Sequence, residues 1–201
     1  MESGTQSTRW PDNVAVLSDG IVTLRAHADT DLDRVVELAT DVETVRWTPM
    51  PSPYTRSDAE LFINTVVRPG WDDGVFRNWI IEVDGAAAGT VGLRGGGVLA
   101  DIGYMLHPAV RGHGFSRRAI CLALGYGFAH TDIQVVRWVA REGNIASLKA
   151  AHASGFTFHA RVPDDLEVRG EIWTTWHGSI HRGDVLAPTR PWGDLPFPLE
   201  W

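Results

Sequence analysis

The segment HPAVRGHGFSRRAICLALGYGFAH, residues 107–130, contains the residues whose spacing points most directly to chemistry. Arg111, Gly112 and Gly114 lie between a strand that ends in proline and a run with helical character. Glycine lets a backbone turn tightly and approach a ligand without interference from a Cβ atom. The N–H groups at the start of the helix then point at one spot, with the positive end of the helix dipole behind them. The pattern predicts a cradle for a pyrophosphate, with an ordinary glycine-rich helix start as the alternative.

Two common phosphate-binding motifs do not match this sequence. A P-loop needs G-x-x-x-x-G-K-[ST], and the sequence contains no such run. The dinucleotide fingerprint G-x-G-x-x-G begins correctly at Gly112, but Arg117 stands where the third glycine is needed. A nucleotide-binding protein of either kind is therefore not predicted.

The elements that must position the cradle alternate between strands and helices. A strand at 100–108 leads into the glycines, and a helix at about 114–129 follows them. The apolar run at 135–140 is typical of a buried strand. The next helix begins at Asn144, and Gly155 closes it in the position of a C-cap.

The N-terminal half supplies a strand near 20–26 and a helix at 29–40, whose apolar residues fall at helical spacing. A proline-broken loop covers 47–56. Ser57 then resembles an N-cap with Glu60 completing a capping box, and the helix runs to about residue 67. The remaining expectations are a turn cluster at 68–74, two strands within 78–97 joined by Asp84-Gly85, and two last strands at 156–162 and 171–180.

This order, β-α-α-β-β-β-α-β-α-β-β, predicts an α/β fold with one layer of sheet and helices on both faces. A length of 201 residues suits one domain with a sizeable core. We expect a polar N-terminal tail at 1–14, the domain at 15–182, and a C-terminal tail at 183–201 that contains proline and tryptophan and lies on the surface.

Composition excludes several classes of function. A net charge of −7 argues against nucleic acid as the main partner, because that binding relies on cationic contacts. No apolar run approaches the ~20 residues that span a bilayer, and the N-terminus lacks the apolar core of a secretory signal. The single cysteine, Cys121, rules out an internal disulfide and favours a cytoplasmic protein.

A second motif follows the cradle by about thirty residues. The run N-x-x-S-x7-G-F covers 144–156, after the R-x-x-G-x-S pattern at 111–116. Together the two motifs resemble the GNAT superfamily of acyl-CoA-dependent N-acetyltransferases. IGYMLHP at 102–108 and the loop and helix at 45–63 look like its RimJ/RimL-like branch, and the resemblance covers roughly residues 15–180. It implies a GNAT-type mixed, mostly antiparallel central sheet with helices on both faces.

By this resemblance, the backbone amides of 111–116 hold the pyrophosphate of CoA, and the strand at 101–107 pairs with the pantetheine amides. Asn144 matches an asparagine that contacts the pantetheine arm, although a role as the N-cap of the following helix explains an asparagine at this position equally well. Ser116 replaces a smaller residue and leaves room for phosphate. The predicted cofactor-binding set is Met105, Leu106, Arg111, Gly112, His113, Gly114, Phe115, Ser116, Arg117, Asn144, Ser147 and Lys149.

The resemblance also implies candidate catalytic residues. Asp101 matches a place where some family members carry a carboxylate base, and Glu82 is the reserve candidate, with a water relay as the alternative. Ser147 matches a serine of the RimJ/RimL-like branch, and it either donates a proton to the departing thiolate or bonds back within its helix. Many relatives carry a tyrosine acid four residues later, where this chain has Ala151.

The acceptor pocket in this branch is usually bordered by the loop at 47–56 and the end of the sheet. Trp47, Tyr54, Trp71 and Trp173 are therefore the predicted substrate-binding residues, with packing in the core or at its rim as the alternative for each.

The expected activity is transfer of an acetyl group from acetyl-CoA to a primary amine, by direct attack in a ternary complex. The acceptor is a protein N-terminus or a small-molecule amine. No metal, nucleic acid or membrane partner is expected, and homodimer formation is left open. The alternative function is a CoA-binding sensor or interaction module without catalysis.

Overall fold

Eight strands form one sheet in the computed structural model, which describes residues 13–195. The sheet order is β1-β2-β3-β4-β5-β6-β8-β7, and every neighbouring pair except β5 and β6 is antiparallel. The strands are β1 (Leu17–Ser18), β2 (Val22–Arg25), β3 (Phe76–Val83), β4 (Ala86–Arg94), β5 (Leu99–Leu106), β6 (Val135–Arg141), β7 (Thr157–Val168) and β8 (Glu171–His181). The predicted mixed, mostly antiparallel sheet is confirmed.

Six α-helices lie on the two faces of this sheet. They are α1 (Leu32–Thr40), α2 (Val42–Trp47), α3 (Arg56–Phe62), α4 (Arg68–Asp72), α5 (Phe115–His130) and α6 (Ile145–Ala153). A π-helical turn, Ile63–Val67, joins α3 to α4. The predicted helices at 29–40, 114–129 and 144–154 are thus present within a residue or two of their expected bounds, apart from a 3-10 turn at Asp29–Asp31.

Alternating side chains divide the core between the two faces. Ile80 of β3 packs with Leu32 of α1 and Ile63 near α3. Its neighbours Trp79 and Ile81 belong to the larger core on the opposite face, together with α5 and α6. Successive apolar residues of a strand point to opposite faces of the sheet, so helices pack against both faces.

The hairpin between β3 and β4 forms as the sequence predicts. Asp84 and Gly85 have φ values of 50° and 75°, as a two-residue type I′ turn requires. Glycine accepts this left-handed conformation without steric cost, and aspartate tolerates it better than most residues.

Two local predictions in the first half are wrong, and one helix was missed. The capping box is formed by Thr55 and Asp58 rather than by Ser57 and Glu60, because helix α3 begins two residues earlier than predicted. The expected turn at 68–74 contains helix α4, with Pro69 in its first turn, where proline is tolerated. Helix α2, at the edge of the expected loop, was not predicted.

The segment after β8 is attached to the domain by packing. Leu186 and Trp192 pack against the larger core, and Leu195 is buried in it. Gly155 allows this close approach, because a Cβ atom there would lie 2.4 Å from the Val185 carbonyl oxygen. Of the two expected tails, residues 1–12 and 196–201 lie outside the described part of the chain.

His27 is buried beside the sheet, and burial gives it a measurable effect on stability. Its Nε2 lies 2.7 Å from Oδ1 of Asn78, and burial lowers the pKa of His27 to about 4. The unfolded chain binds a proton at this residue near pH 6.5, whereas the folded chain does not. The contribution of His27 to stability is therefore complete above pH 6.5 and is lost as the pH falls toward 4.

We predict that wild-type protein loses roughly 2–3 kcal/mol more stability than His27→Gln between pH 7 and pH 4.5. Glutamine keeps a donor for Asn78 but does not titrate. Urea unfolding at the two pH values measures the difference. Equal losses in the two proteins would contradict the prediction.

Candidate functional site

The glycines before α5 adopt the conformation that a cradle requires. Gly112 and Gly114 have φ values of 84° and 78°, and an added Cβ atom at either position meets open space. Gly114 is the N-cap of α5 and supplies no side-chain cap, so the first N–H groups of this helix point outward. An anion at this place would meet unpaired donors and the positive end of a 16-residue helix.

Arg111 contributes its backbone to the cradle, but its side chain points elsewhere. Its Nη2 donates to Oδ2 of Asp41 at 2.5 Å, and its Nε donates to the carbonyl oxygen of Leu106. The Arg111 guanidinium and the amide of Thr44 hold the pKa of Asp41 below its usual value, against the effect of burial. Arg111 therefore ties the N-terminus of α2 to the end of β5.

The other cations near the cradle have partners in the structure. Arg117 donates from Nε to the carbonyl oxygen of Ala153 at 2.8 Å, and Arg118 donates to Asp19 at 2.6 Å. The ammonium of Lys149 lies 5.9 Å from the ring of Trp192. Arg117 thus binds the C-terminal end of α6, and Lys149 lies on α6 itself. The predicted residues His113 and Phe115 stack at 5.7 Å between ring centres.

The parallel strands β5 and β6 pair only at their first residues. Their register ends at Asp101 and Arg137, after which the strands diverge. Strand β5 continues to pair with β4 as far as Leu106, and β6 pairs with β8 as far as Arg141. An opening therefore forms between β5 and β6, and it leads toward the cradle.

A hydrogen-bonded group of three side chains lies on the helix face of this opening. The indole Nε1 of Trp138 donates to Tyr104 Oη and to Ser147 Oγ, each at 3.0 Å. The two hydroxyl oxygens lie 2.9 Å apart. Asn144 caps α6 by accepting from the Ser147 amide at 3.1 Å. The N-cap role of Asn144 is thus present, and its amide nitrogen keeps donors for a ligand.

Sequence reasoning missed Tyr104. Burial raises the pKa of Tyr104 to about 12, so the phenol stays protonated at neutral pH. Its place on β5, between the buried Ile102 and Leu106, marks it as facing α5 and α6. That alternation is visible in the sequence, but contact with Ser147, 43 residues away, is not.

The two predicted bases are both held by arginines. Asp101 forms a bidentate ion pair with Arg137, at 2.7 and 3.0 Å, and both side chains are about half exposed. Glu82 accepts from Nε of Arg25 at 2.5 Å and lies on β3, which is separated from the opening by β4 and β5. Each therefore stays a prediction, and neither has both oxygens free of a cation.

Two of the four aromatic residues predicted for the acceptor pocket lie near the open face of the opening, which is the face opposite α5 and α6: Trp47 is half-buried there, whereas Trp173 is buried, with 3% of its surface exposed. The ring of Trp47 lies 3.4 Å from the site of a Cβ on Gly143, and its Nε1 donates to Glu43. The Arg141 guanidinium lies 4.5 Å from the centre of the Trp173 ring.

Arg169 brings the tip of the β7–β8 hairpin to the same place. It donates to the carbonyl oxygens of Val45, Thr48 and Met50 at 2.6 to 3.0 Å. The segment after α2 and this hairpin thereby form one wall beside the opening.

The other two predicted aromatic residues pack inside the protein. Trp71 is 3% exposed and lies edge-on to Trp79, at 4.8 Å between ring centres. Tyr54 is buried in the smaller core with Val35. For Trp71 and Tyr54, the structure therefore agrees with the alternative that they pack in the core.

Met105 and Leu106 lie at the end of β5, on opposite faces of the sheet. Leu106 is buried in the core and Met105 is half-buried on the open face. Within residues 13–195, no group of three or more His, Cys, Asp or Glu side chains is placed to hold a metal ion. No helix of the described chain is long and apolar enough to cross a membrane.

Solved structures with the same fold include three acetyltransferases. RimL, an alpha-N-protein acetyltransferase in complex with coenzyme A, is 15% identical, with a TM-score of 0.75 over 83% of this chain and 98% of its own. Mycobacterium smegmatis RimJ in complex with CoA-disulfide is 22% identical, with a TM-score of 0.75 over 86% and 88%. Spermidine N-acetyltransferase from Vibrio cholerae, with CoA and spermine, is 18% identical, with a TM-score of 0.71 over 81% and 96%.

No curated protein sequence matches the chain. The sequence family described as the acetyltransferase (GNAT) domain matches residues 22–157, which include the cradle, the opening and Ser147. The predicted resemblance is thus confirmed, and the chain belongs to the GNAT family of acetyltransferases.

Proposed function

We propose that this protein transfers an acetyl group from acetyl-CoA to a primary amine, by direct attack within a ternary complex. The observation that carries the proposal is the glycine cradle at the end of β5, directly beside the opening between β5 and β6. A diphosphate bound by the amides of 111–116 anchors one end of CoA. The pantetheine arm then runs into the opening, where β5 lacks a neighbouring strand beyond Asp101.

The two faces of the opening suit the two halves of this reaction. On the helix face, Trp138 and Tyr104 hold the Ser147 hydroxyl in place. Tyr104 donates its proton to the Ser147 carbonyl oxygen at 2.9 Å, so the hydrogen between the two hydroxyls comes from Ser147 and is the one that turns to the departing sulfur. The other face is open, since Gly103 and Val139 are both exposed there. An amine that approaches from the open face meets the thioester carbon, while the thiolate leaves toward Ser147.

For each of the two acceptor classes, protein N-termini and small amines, one structural neighbour carries a name that refers to that class. RimL is named as acting on a protein alpha-amine, and the Vibrio cholerae enzyme is named for spermidine. Asp165 and Glu171 lie near the open face, but each already has a partner there, His177 and Arg141, so the charge of this face does not select between the two classes.

Release of free CoA thiol, measured with acetyl-CoA and a panel of amines, tests the function. The panel contains N-terminal peptides, polyamines and aminoglycosides. We expect turnover with at least one of them and a mass increase of one acetyl group on its amine. Tight binding of acetyl-CoA without turnover across the panel would favour the alternative of a CoA-binding sensor.

We predict that Gly114→Val weakens acetyl-CoA binding at least ~100-fold, about 2.7 kcal/mol, because its side chain fills the space of the phosphate. Isothermal titration measures the affinity. Valine at a φ of 78° also strains the backbone, so Gly183→Val, at a φ of 94° with open space around it, is the matched control. Unchanged affinity in folded Gly114→Val would contradict the cradle.

We predict that Ser147→Ala lowers kcat about 10-fold or more with little change in the affinity for acetyl-CoA, because the thiolate loses its proton donor. Ser154→Ala is the control, since Ser154 lies at the end of the same helix and bonds back to Ala150. Steady-state kinetics at saturating acetyl-CoA measure the effect. A wild-type kcat in Ser147→Ala would assign the serine to helix packing alone.

A further inference from the structure

Three polar side chains form a cluster on the open face of the sheet, at the middle of β7 and β8. Nε2 of His177 lies 2.8 Å from Oδ2 of Asp165 and 2.9 Å from Oγ1 of Thr175. Thr175 donates its own hydroxyl proton to Asp165. Asp165 lies at an irregularity in the β7–β8 register, between Val162 and Leu166, which turns its carboxylate toward β8.

The partners of His177 determine its tautomer. Asp165 accepts a hydrogen bond, and Thr175 has only its oxygen lone pairs left to offer once its proton is given to Asp165. Nε2 of a neutral His177 therefore carries the hydrogen, and Nδ1 keeps the lone pair. Hydrogen bonds from Thr175 and His177 lower the pKa of Asp165, so its carboxylate is ionised at neutral pH.

The cluster lies beside the opening between β5 and β6. His177 is directly opposite Val139 of β6, so the two side chains are on the same face and their backbones are about 5 Å apart. Val139 is 41% exposed, and the His177 side chain is 32% exposed. An amine lying over Val139 thus has the imidazole on one side and the thioester in the opening on the other.

Arginines bind the two carboxylates that were predicted as bases, whereas no arginine of the described chain binds the imidazole of His177. Arg137 binds both oxygens of Asp101, and Arg25 binds Glu82. A base needs a lone pair that points at the substrate. Of these three candidates in the described chain, Asp101 has both oxygens bound by a cation, and Glu82 keeps one oxygen without a cation but lies beyond β4 and β5 from the opening, whereas Nδ1 of His177 has no cation against it and lies beside the opening.

We propose that His177, oriented by Asp165, is the general base that removes a proton from the acceptor ammonium. The assignment rests on the proposed acetyl transfer. Nδ1 of His177 takes one proton from the ammonium, directly or through one water, and leaves a neutral amine. The amine nitrogen forms a bond to the thioester carbon, and the carbon–sulfur bond then breaks. The second nitrogen proton passes to the sulfur by way of Ser147, and His177 returns its proton to solvent.

Charged and titratable groups face His177 from each strand around it. Asp165 and His159 are on β7, where His159 bonds to Ser179 at 2.7 Å. Arg137 and Arg141 flank Val139 on β6. The positive charges of the two arginines and the negative charge of Asp165 therefore act on the imidazole in opposite directions.

The test compares His177→Gln with the matched control His181→Gln, on the same strand and away from the cluster. With an acceptor identified from the amine panel, we expect kcat/KM of His177→Gln at pH 7 to fall ~100-fold or more, with acetyl-CoA affinity within twofold of wild type. The loss shrinks at high pH, where the amine is already neutral. His181→Gln keeps the wild-type rate.

Asp165→Asn gives a second readout that does not depend on activity. Nitrogen-15 NMR of the histidines is expected to show His177 with hydrogen on Nε2 in the wild type and to lose that preference in Asp165→Asn. Its kcat/KM is expected to fall about 10-fold.

Wild-type rates in His177→Gln from pH 6 to pH 9 would overturn the assignment and leave the acetyl transfer standing. A larger, pH-dependent loss in Asp101→Asn than in His177→Gln would give the role to Asp101 instead. Absence of transfer from wild-type protein to any amine would overturn the proposed function, and the base with it.

Discussion

The divergence of β5 from β6 after the Asp101–Arg137 pair is the constraint on which the site depends. Both strands need their other neighbours to stay in the sheet, since a parallel pair of three residues has little stability of its own. β4 holds β5 and β8 holds β6 on the far sides of the opening. The gap therefore lies between two well-paired halves of one sheet, and within residues 13–195 the backbone of β5 beyond Asp101 has no neighbouring strand on that side.

Arginine side chains connect the surrounding elements to this slot. Arg111 binds Asp41 at the start of α2, while Arg141 and Arg169 bind backbone carbonyl oxygens on both sides of Trp47. Planar guanidinium groups suit such multiple contacts better than an ammonium, because their donors are fixed in a fork. The segment after α2 is thus held by charge-assisted bonds rather than by a large apolar core.

Local signals in the sequence predicted much of the fold and the glycine-rich start of α5. The Asp84-Gly85 hairpin, the glycine start of α5 and the Asn144 cap each depend on a few adjacent residues, so their chemistry is readable without the fold. Helix α4 was predicted as a turn because proline and glycine in 68–74 obscure its short helix. Tryptophans were harder to assign, since burial depends on the whole core: Trp71 is enclosed, whereas Trp47 borders the open face.

Acid and base roles were the least predictable, because they depend on what occupies each lone pair. Asp101 stands at the position along β5 that the resemblance indicates, yet Arg137, 36 residues later and opposite it in the pairing of β5 with β6, donates to both oxygens of its carboxylate. His177 carries no motif, and its link to Asp165 arises only because an irregularity in β7 shifts the register against β8. Spacing in a sequence predicts which strand a side chain is on. Whether that side chain can take a proton is decided by cross-strand partners, which only the assembled sheet brings together.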